Sequence, residues 1–259
     1  MNTTSWNRLV KNYVRTMVFS FFKGARFSTF FDIPGEGCLS TIEAHRLRVI
    51  YKRSTILWAE RSKVIGASIS DQLKTLGFKN TIPCVGDVSM LLPDVPIDFA
   101  NLDLMGQVTE GLMVYIRDKI RFSEGSGFSL NVHHHGTRVK SNFLTAADQY
   151  FGDKPFVAEC FNGKTIKLKP HQFPGVIDNT ECIRYTDKCV NTIYGLLSKV
   201  ALMEYTFKLE SIIIYGESHQ ENNMVTFVIS NITRKPNKRS VSSYRAQSTK
   251  ILSAISKLM

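Results

Sequence analysis

The segment Ser28–Glu60 constrains this chain most. It opens on a short apolar, β-prone run, Ser28-Thr29-Phe30-Phe31, that ends in Asp32. Ile33-Pro34 then lead into Gly35-Glu36-Gly37, a stretch able to form a helix follows, and a second apolar run, Thr55–Ala59, ends in Glu60. The order is strand, glycine turn, helix, strand, acid. Parallel strands need a crossover of this kind, and glycines at its start let backbone approach a ligand closely. The order predicts a βαβ unit holding a nucleotide-like ligand at the carboxyl ends of two neighbouring strands. Each part alone has a plainer reading. Asp-x-x-Gly-x-Gly also suits a tight turn without a ligand, and Glu60 also suits a solvated strand end.

More units of the same kind follow. Phe27–Asp32 is the first predicted strand, Cys38–Tyr51 the first crossover helix and Thr55–Ala59 the second strand. Arg46, Arg48, Lys52 and Arg53 lie towards the end of that helix, where cations suit its dipole. Val64–Leu76 has Ile65, Ile69, Leu73 and Leu76 at helical spacing, and Gly77 stops it. Thr81–Val85 reads as strand three, followed by Gly86-Asp87. Ile97–Leu104 reads as strand four, Thr109–Ile120 as a helix, and Gly127–Val132 as strand five, running into His133-His134-His135. Five βα-like units in a row predict an α/β fold, a doubly wound and mostly parallel sheet with helices on both faces.

The rhythm breaks at residues 141–188, which read as an insertion that could recognise a substrate. A helix over Val190–Met203 and two strong strands follow, Lys208–Tyr215 and Met224–Ser230, joined by a polar turn-like stretch. They predict a carboxyl-terminal antiparallel hairpin. The expected organisation is a basic amino-terminal helix over 1–24, a sheet domain over 25–140 and 189–233, the insertion, and a basic tail over 234–259 with a helix at Tyr244–Leu258. The amino-terminal helix, about Ser5 to Phe22, is amphipathic, and its expected role is to dock on the domain.

Charge limits the partners. The chain has 259 residues and a net charge of +11. Such a balance favours a polyanion, nucleic acid first and an anionic membrane surface second, while a basic surface kept for solubility is the plainer reading. A protein partner is compatible as well. No apolar stretch approaches the roughly 18 residues of a membrane span, so stable membrane insertion is not expected. Five widely spaced cysteines without a Cys-x-x-Cys pair argue against a zinc cluster or a secreted disulfide framework. Cytoplasm or another reducing compartment is the expectation.

With the late hairpin added, the chain resembles class I S-adenosylmethionine-dependent methyltransferases, which add a reversed last strand to the doubly wound sheet. The resemblance covers roughly residues 25–136 and 190–232. It implies a cofactor, S-adenosylmethionine, and a set of residues for it. Asp32, Pro34, Gly35 and Gly37 stand where the family wraps the methionine part, with Asp32 accepting from the ammonium group directly or through water. Glu60 stands where two ribose hydroxyls are held, and Asp87 where the adenine amino group is met. Asn101 and Asp103 stand beneath the transferable methyl. The spacing of 28 residues from Asp32 to Glu60 and 27 from Glu60 to Asp87 is one βαβ step each. The implied activity is methyl transfer to nucleic acid. A scaffold that has lost catalysis and binds nucleic acid or a protein is the alternative.

Departures from the family narrow the chemistry. Asn101-Leu102-Asp103-Leu104 lacks the Pro-Pro-aromatic run of enzymes that methylate base amino groups and stack on a flipped base. Cys84 follows Pro83, but at strand three, away from where a cytosine-C5 nucleophile stands. A ribose-methylating set could use Asp103 with Lys208 or Glu210, without an identifiable first lysine. Asp103 is thus either a base or orienter near the methyl or a structural acid. His133 and His135 can share a strand face, a poor metal site without an acid. They face substrate or lie in a solvated loop, with Arg138 and Lys140 placed for phosphate contact. A nicotinamide cofactor fits worse, because Ser40 stands where the third turn-glycine would be.

Overall fold

The computed structural model describes residues 3–86, 95–135, 164–167, 190, 192–216 and 222–236. They form one eight-stranded sheet with helices on both faces. In chain order the elements are α1 (Thr3–Ser20), β1 (Phe27–Asp32), α2 (Leu39–Arg46), β2 (Ile50–Glu60), α3 (Lys63–Thr75), β3 (Thr81–Val85) and β4 (Ile97–Gln107). Then come α4 (Glu110–Lys119), β5 (Phe122–His135), β6 (Lys164–Lys167), a π-helical turn at Leu197–Ala201, β7 (Tyr205–Gly216) and β8 (Asn222–Arg234). The strand order is β3-β2-β1-β4-β5-β8-β7-β6. Strands β1 to β5 pair in parallel, and β8 runs antiparallel to both β5 and β7. The expected α/β class, doubly wound sheet and carboxyl-terminal hairpin are therefore what the chain adopts.

The alternation along the strands explains the two-sided sheet. Phe31, Leu57, Ala100, Leu102, Phe128, Leu130 and Phe227 point to one face and pack with Met113 and Ile116 of α4 and Leu197 and Val200 of the π-helical turn. Phe30, Ile56, Trp58, Phe99 and Val228 point to the other and meet Val14, Val18 and Phe19 of α1, Ala44 of α2, and Ile69 and Leu73 of α3. The amino-terminal helix is docked, as its amphipathic pattern predicts. Phe19, Phe22, Phe27 and Phe30 surround Phe99, with Phe22 edge-on to it at 4.7 Å between centroids. Gly127 on β5 makes room for this cluster, since a Cβ there would lie 2.6 Å from the Phe99 ring and 2.7 Å from that of Phe22.

Several boundaries differ from the sequence reading. The first crossover helix stops at Arg46, well short of Tyr51, and β2 begins at Ile50. Arg48 takes a left-handed φ of 58° just before Val49-Ile50-Tyr51, a β-branched and aromatic run better suited to a strand. β4 and β5 are likewise longer than expected. Of the segment 141–188, Lys164–Lys167 lies in the sheet and pairs in parallel with β7. Its four residues, with one apolar side chain, are too short a pattern to read from sequence. The rest of that segment, the helix expected at Tyr244–Leu258, Asp87, Arg138 and Lys140 lie outside the described residues. No helix among the described residues is long and apolar enough to cross a membrane.

Candidate functional site

At the carboxyl ends of β1 and β2 the chain builds a turn and an acid side by side. Asp32 is level with Trp58 in the β1–β2 register, which carries Glu60 two residues further along the same edge. The chain leaves β1 through Ile33-Pro34 into a turn where Gly35 has φ 61° and open space where a Cβ would lie. Glycine takes that conformation at no steric cost. Cys38, also left-handed at φ 46°, begins α2. Gly37 is more restricted, as a Cβ would stand 3.3 Å from the Leu39 side chain. Glu60 is half-buried, with Oε1 accepting from the Ser62 N–H at 2.8 Å. The Gly86 N–H donates to the Glu60 carbonyl at 3.0 Å, so the end of β3 lies against the end of β2.

Asp32 is fully buried. Its Oδ2 accepts from Ser40 Oγ at 2.6 Å and Thr41 Oγ1 at 2.7 Å, and its Oδ1 accepts from Asn101 Nδ2 at 2.8 Å. The carboxyl thus ties the first turn of α2 to the ends of β1 and β4. Burial pushes its pKa up, the three hydrogen bonds and a more distant Asp103 being lesser influences. Direct contact with a cofactor ammonium, one of the two expectations for this residue, is closed off by these partners. Asp32 instead shapes the turn from below. Ser40, where a dinucleotide-binding turn would have glycine, is one of the donors.

The polar chain continues across the sheet. Ser129 Oγ donates to Asn101 Oδ1 at 2.6 Å, so the Asn101 amide is held from both sides. One step nearer the strand ends, Asn131 Nδ2 donates to Asp103 Oδ1 at 2.7 Å. Asn131 Oδ1 accepts from Thr226 Oγ1 at 2.9 Å and Tyr215 Oη at 3.1 Å. Asp103 Oδ2 lies 3.7 Å from Arg15 Nη2 of α1. Asn101, Asp103, Asn131, Tyr215 and Thr226 floor a narrow cavity of about 20 Å³, room for about one water, that α1 roofs with Lys11, Val14, Arg15, Val18 and Phe19.

The structure therefore brings Asp32, Asn101 and Asp103 into one polar layer, with the Gly35 turn and Glu60 beside it. His133 follows two residues after Asn131 on β5, half-buried, and His135 pairs with Asn222 of β8. The sequence reading missed Ser40, Thr41, Ser129, Asn131, Tyr215, Thr226 and Arg15. For Ser129, Asn131 and Thr226 the signal was weak but present: polar residues at alternate positions in otherwise apolar strands. Ser40, Thr41 and Arg15 lie on helices, where no such alternation marks them. Cys84 is buried on β3, where desolvation raises its thiol pKa, which does not suit a nucleophile.

No protein-family model matches the chain, and no curated protein matches it in sequence. Solved structures do match in fold. Trm5b from Pyrococcus abyssi superposes with a TM-score of 0.50 at 11% identity, over 85% of this chain and 48% of its own, so this chain spans about half of that protein. TYW2 from M. jannaschii, solved in complex with AdoMet, gives 0.47 at 11% identity over 86% of this chain and 76% of its own. TomG from Streptomyces achromogenes, an O-methyltransferase solved in complex with SAM, gives 0.44 at 11% identity over 85% and 79%. At such identities the likeness is one of fold. The fold is that of the class I methyltransferases.

Proposed function

We propose that this chain transfers a methyl group from S-adenosylmethionine to nucleic acid. One observation carries the reading: the Gly35 turn follows β1 and Glu60 ends β2, at the carboxyl edge of two paired parallel strands. The residues present fit the cofactor. Pro34, Gly35 and Gly37 would wrap its methionine part, with room above Gly35. Glu60, with Oε2 beyond its bond to Ser62, would receive the ribose hydroxyls, and Asp87 would meet the adenine. The cofactor supplies a methyl on a sulfonium, and Asp103 would orient the accepting atom or take its proton. Asn101, tied between Asp32 and Ser129, positions rather than reacts. The net charge of +11 supports a polyanionic substrate, which His133, His135, Arg138 and Lys140 would contact.

Calorimetry with S-adenosylmethionine tests the pocket. Binding to the wild type should weaken about tenfold in Glu60→Gln, the loss of one charge-assisted hydrogen-bond pair, while its unfolding midpoint stays unchanged. No binding to the wild type overturns the reading. A second reading, a methyltransferase-fold subunit without catalysis, is favoured by α1, which roofs the cavity over Asp103. Cofactor binding without transfer of labelled methyl to DNA or RNA would decide for it.

A further inference from the structure

The opposite edge of the sheet carries a feature that the cofactor cleft does not use. At the amino-terminal ends of β1, β2 and β3 the chain exposes Lys23, Arg26, Arg48, Arg53 and Lys79. Backbone contacts make them neighbours. The Arg26 N–H donates to the Arg48 carbonyl at 3.2 Å, and Asn80 Nδ2 donates to the Arg53 carbonyl at 3.0 Å. The Arg53 guanidinium lies over the Tyr51 ring at 4.9 Å, and the Tyr51 hydroxyl is 3.3 Å from Ser28 Oγ. None of these five cations has an ion pair among the described residues. The acid of the neighbouring strand, Asp98 on β4, is engaged through Oδ2 by the Ser28 and Thr29 N–H groups.

Two of the arginines are held in an unfavourable conformation. Arg26 has φ 57° and Arg48 has φ 58°, the left-handed region where glycine or asparagine is cheap and a long side chain is not. Their backbones touch, yet each side chain projects into solvent without a bonded partner. A strained position occupied by the costlier residue points to a use for the side chain.

We infer that this edge binds the phosphate backbone of nucleic acid, at a site separate from the cofactor cleft. Planar guanidiniums suit phosphate oxygens in pairs, and the Arg53–Tyr51 stack offers an aromatic surface next to them. A membrane surface would need apolar side chains beside the cations. Among the described residues the exposed large ones nearest in sequence are Phe21 before β1 and Ile82 on β3, and the vesicle arm below tests that occupant. β1 is six residues long, so the two sites stand roughly 20 Å apart along the strands. A strand held here can reach past the sheet, and its binding needs no methyl donor.

The test is fluorescence anisotropy with a labelled single-stranded oligonucleotide of about 20 residues, without cofactor, across a salt series. Arg26→Gly/Arg48→Gly relieves the backbone and removes two cations. Its unfolding midpoint should not fall, and its log–log salt slope should drop by about 1.4, two contacts at 0.7 each. Arg26→Lys/Arg48→Lys should restore most of the slope. Arg53→Gln/Lys79→Gln, which leaves the left-handed positions intact, should show a similar drop. Wild-type slopes in both neutralised variants overturn the inference. So does binding to vesicles of equal phosphatidylserine and phosphatidylcholine with no binding to the oligonucleotide. Absence of methyl transfer bears on the cleft alone and leaves this site standing.

Discussion

The face of the sheet under α1 has two halves that differ sharply. At the amino-terminal half Phe30, Phe99 and Gly127 lie side by side with Phe19 and Phe22 of the helix, and the packing is wholly apolar. Two residues further along the same strands stand Asp32, Asn101 and Ser129, then Asp103 and Asn131. One helix covers both. The apolar half removes large surface from water, at about 25 cal/mol per Å². The polar half must satisfy each buried group merely to break even. Adhesion therefore resides in the aromatic half. The polar half is kept for what it can contact, and it is where the cavity opens.

The widest separation between the halves should come from Phe99. Phe99→Ala removes the ring around which four other aromatics pack, and should cost about 3–5 kcal/mol in urea unfolding. Gly127→Ala adds a methyl where two rings already stand, and should cost about 1–3 kcal/mol. Both should release α1, read as faster proteolysis before Phe22. Near-neutral results would mean that the helix is held by the polar half instead.

Asp32 sharpens the contrast from the other side. Asp32→Ala leaves the hydroxyls of Ser40 and Thr41 and the amide of Asn101 facing a gap, and should cost about 3 kcal/mol. Asp32→Asn should be much milder, because the Asn101 amide can flip and Ser129 can accept where it now donates. The pH dependence distinguishes them further. Burial raises the native pKa of Asp32 above its ordinary 3.8, so the native state holds the proton more tightly than the unfolded chain. The resulting stability is complete below pH 3.8 and is lost as pH rises through the raised native value. Asp32→Asn should abolish that part of the decline, seen in unfolding midpoints measured from acid to neutral pH.

These pairs also show what could be read in advance. Phe27–Asp32 and Thr81–Val85 were legible to the residue, because apolar runs bounded by turn residues specify a parallel strand locally, whether central as β1 is or at the sheet edge as β3 is. The glycine turn was legible for the same reason. The ends of β2, β4 and β5 were not. Polar residues such as Lys52, Arg53 and Glu124 interrupt the apolar pattern there, and neighbouring strands carry the pairing through them. The acid of strand one was found, but not its partners. Ser40 and Thr41 lie eight and nine residues on, whereas Asn101 is 69 residues away, and nothing in a single sequence marks that contact. Arg15 sat within a basic amphipathic helix and read as one more surface cation.

Arg15 gives the finest probe of the two halves. Its Nη2 is 3.7 Å from Asp103, its Nη1 donates to Asn12 at 2.9 Å, and its Nε is buried without a partner. The side chain is 17% exposed and that of Asp103 19%. A long, partly solvated ion pair is worth little, and a desolvated Nε offsets part of it. Arg15→Met keeps the apolar stem against Val14 and Val18 and removes the charge. It should shift stability by less than about 1 kcal/mol, while leaving Asp103 Oδ2 open to whatever enters the cavity. Its effect should then be read in the proposed methyl transfer rather than in unfolding, the reverse of Phe99→Ala. A loss of stability matching that of Phe99→Ala would place the grip of α1 on the polar half and break the division between adhesion and contact.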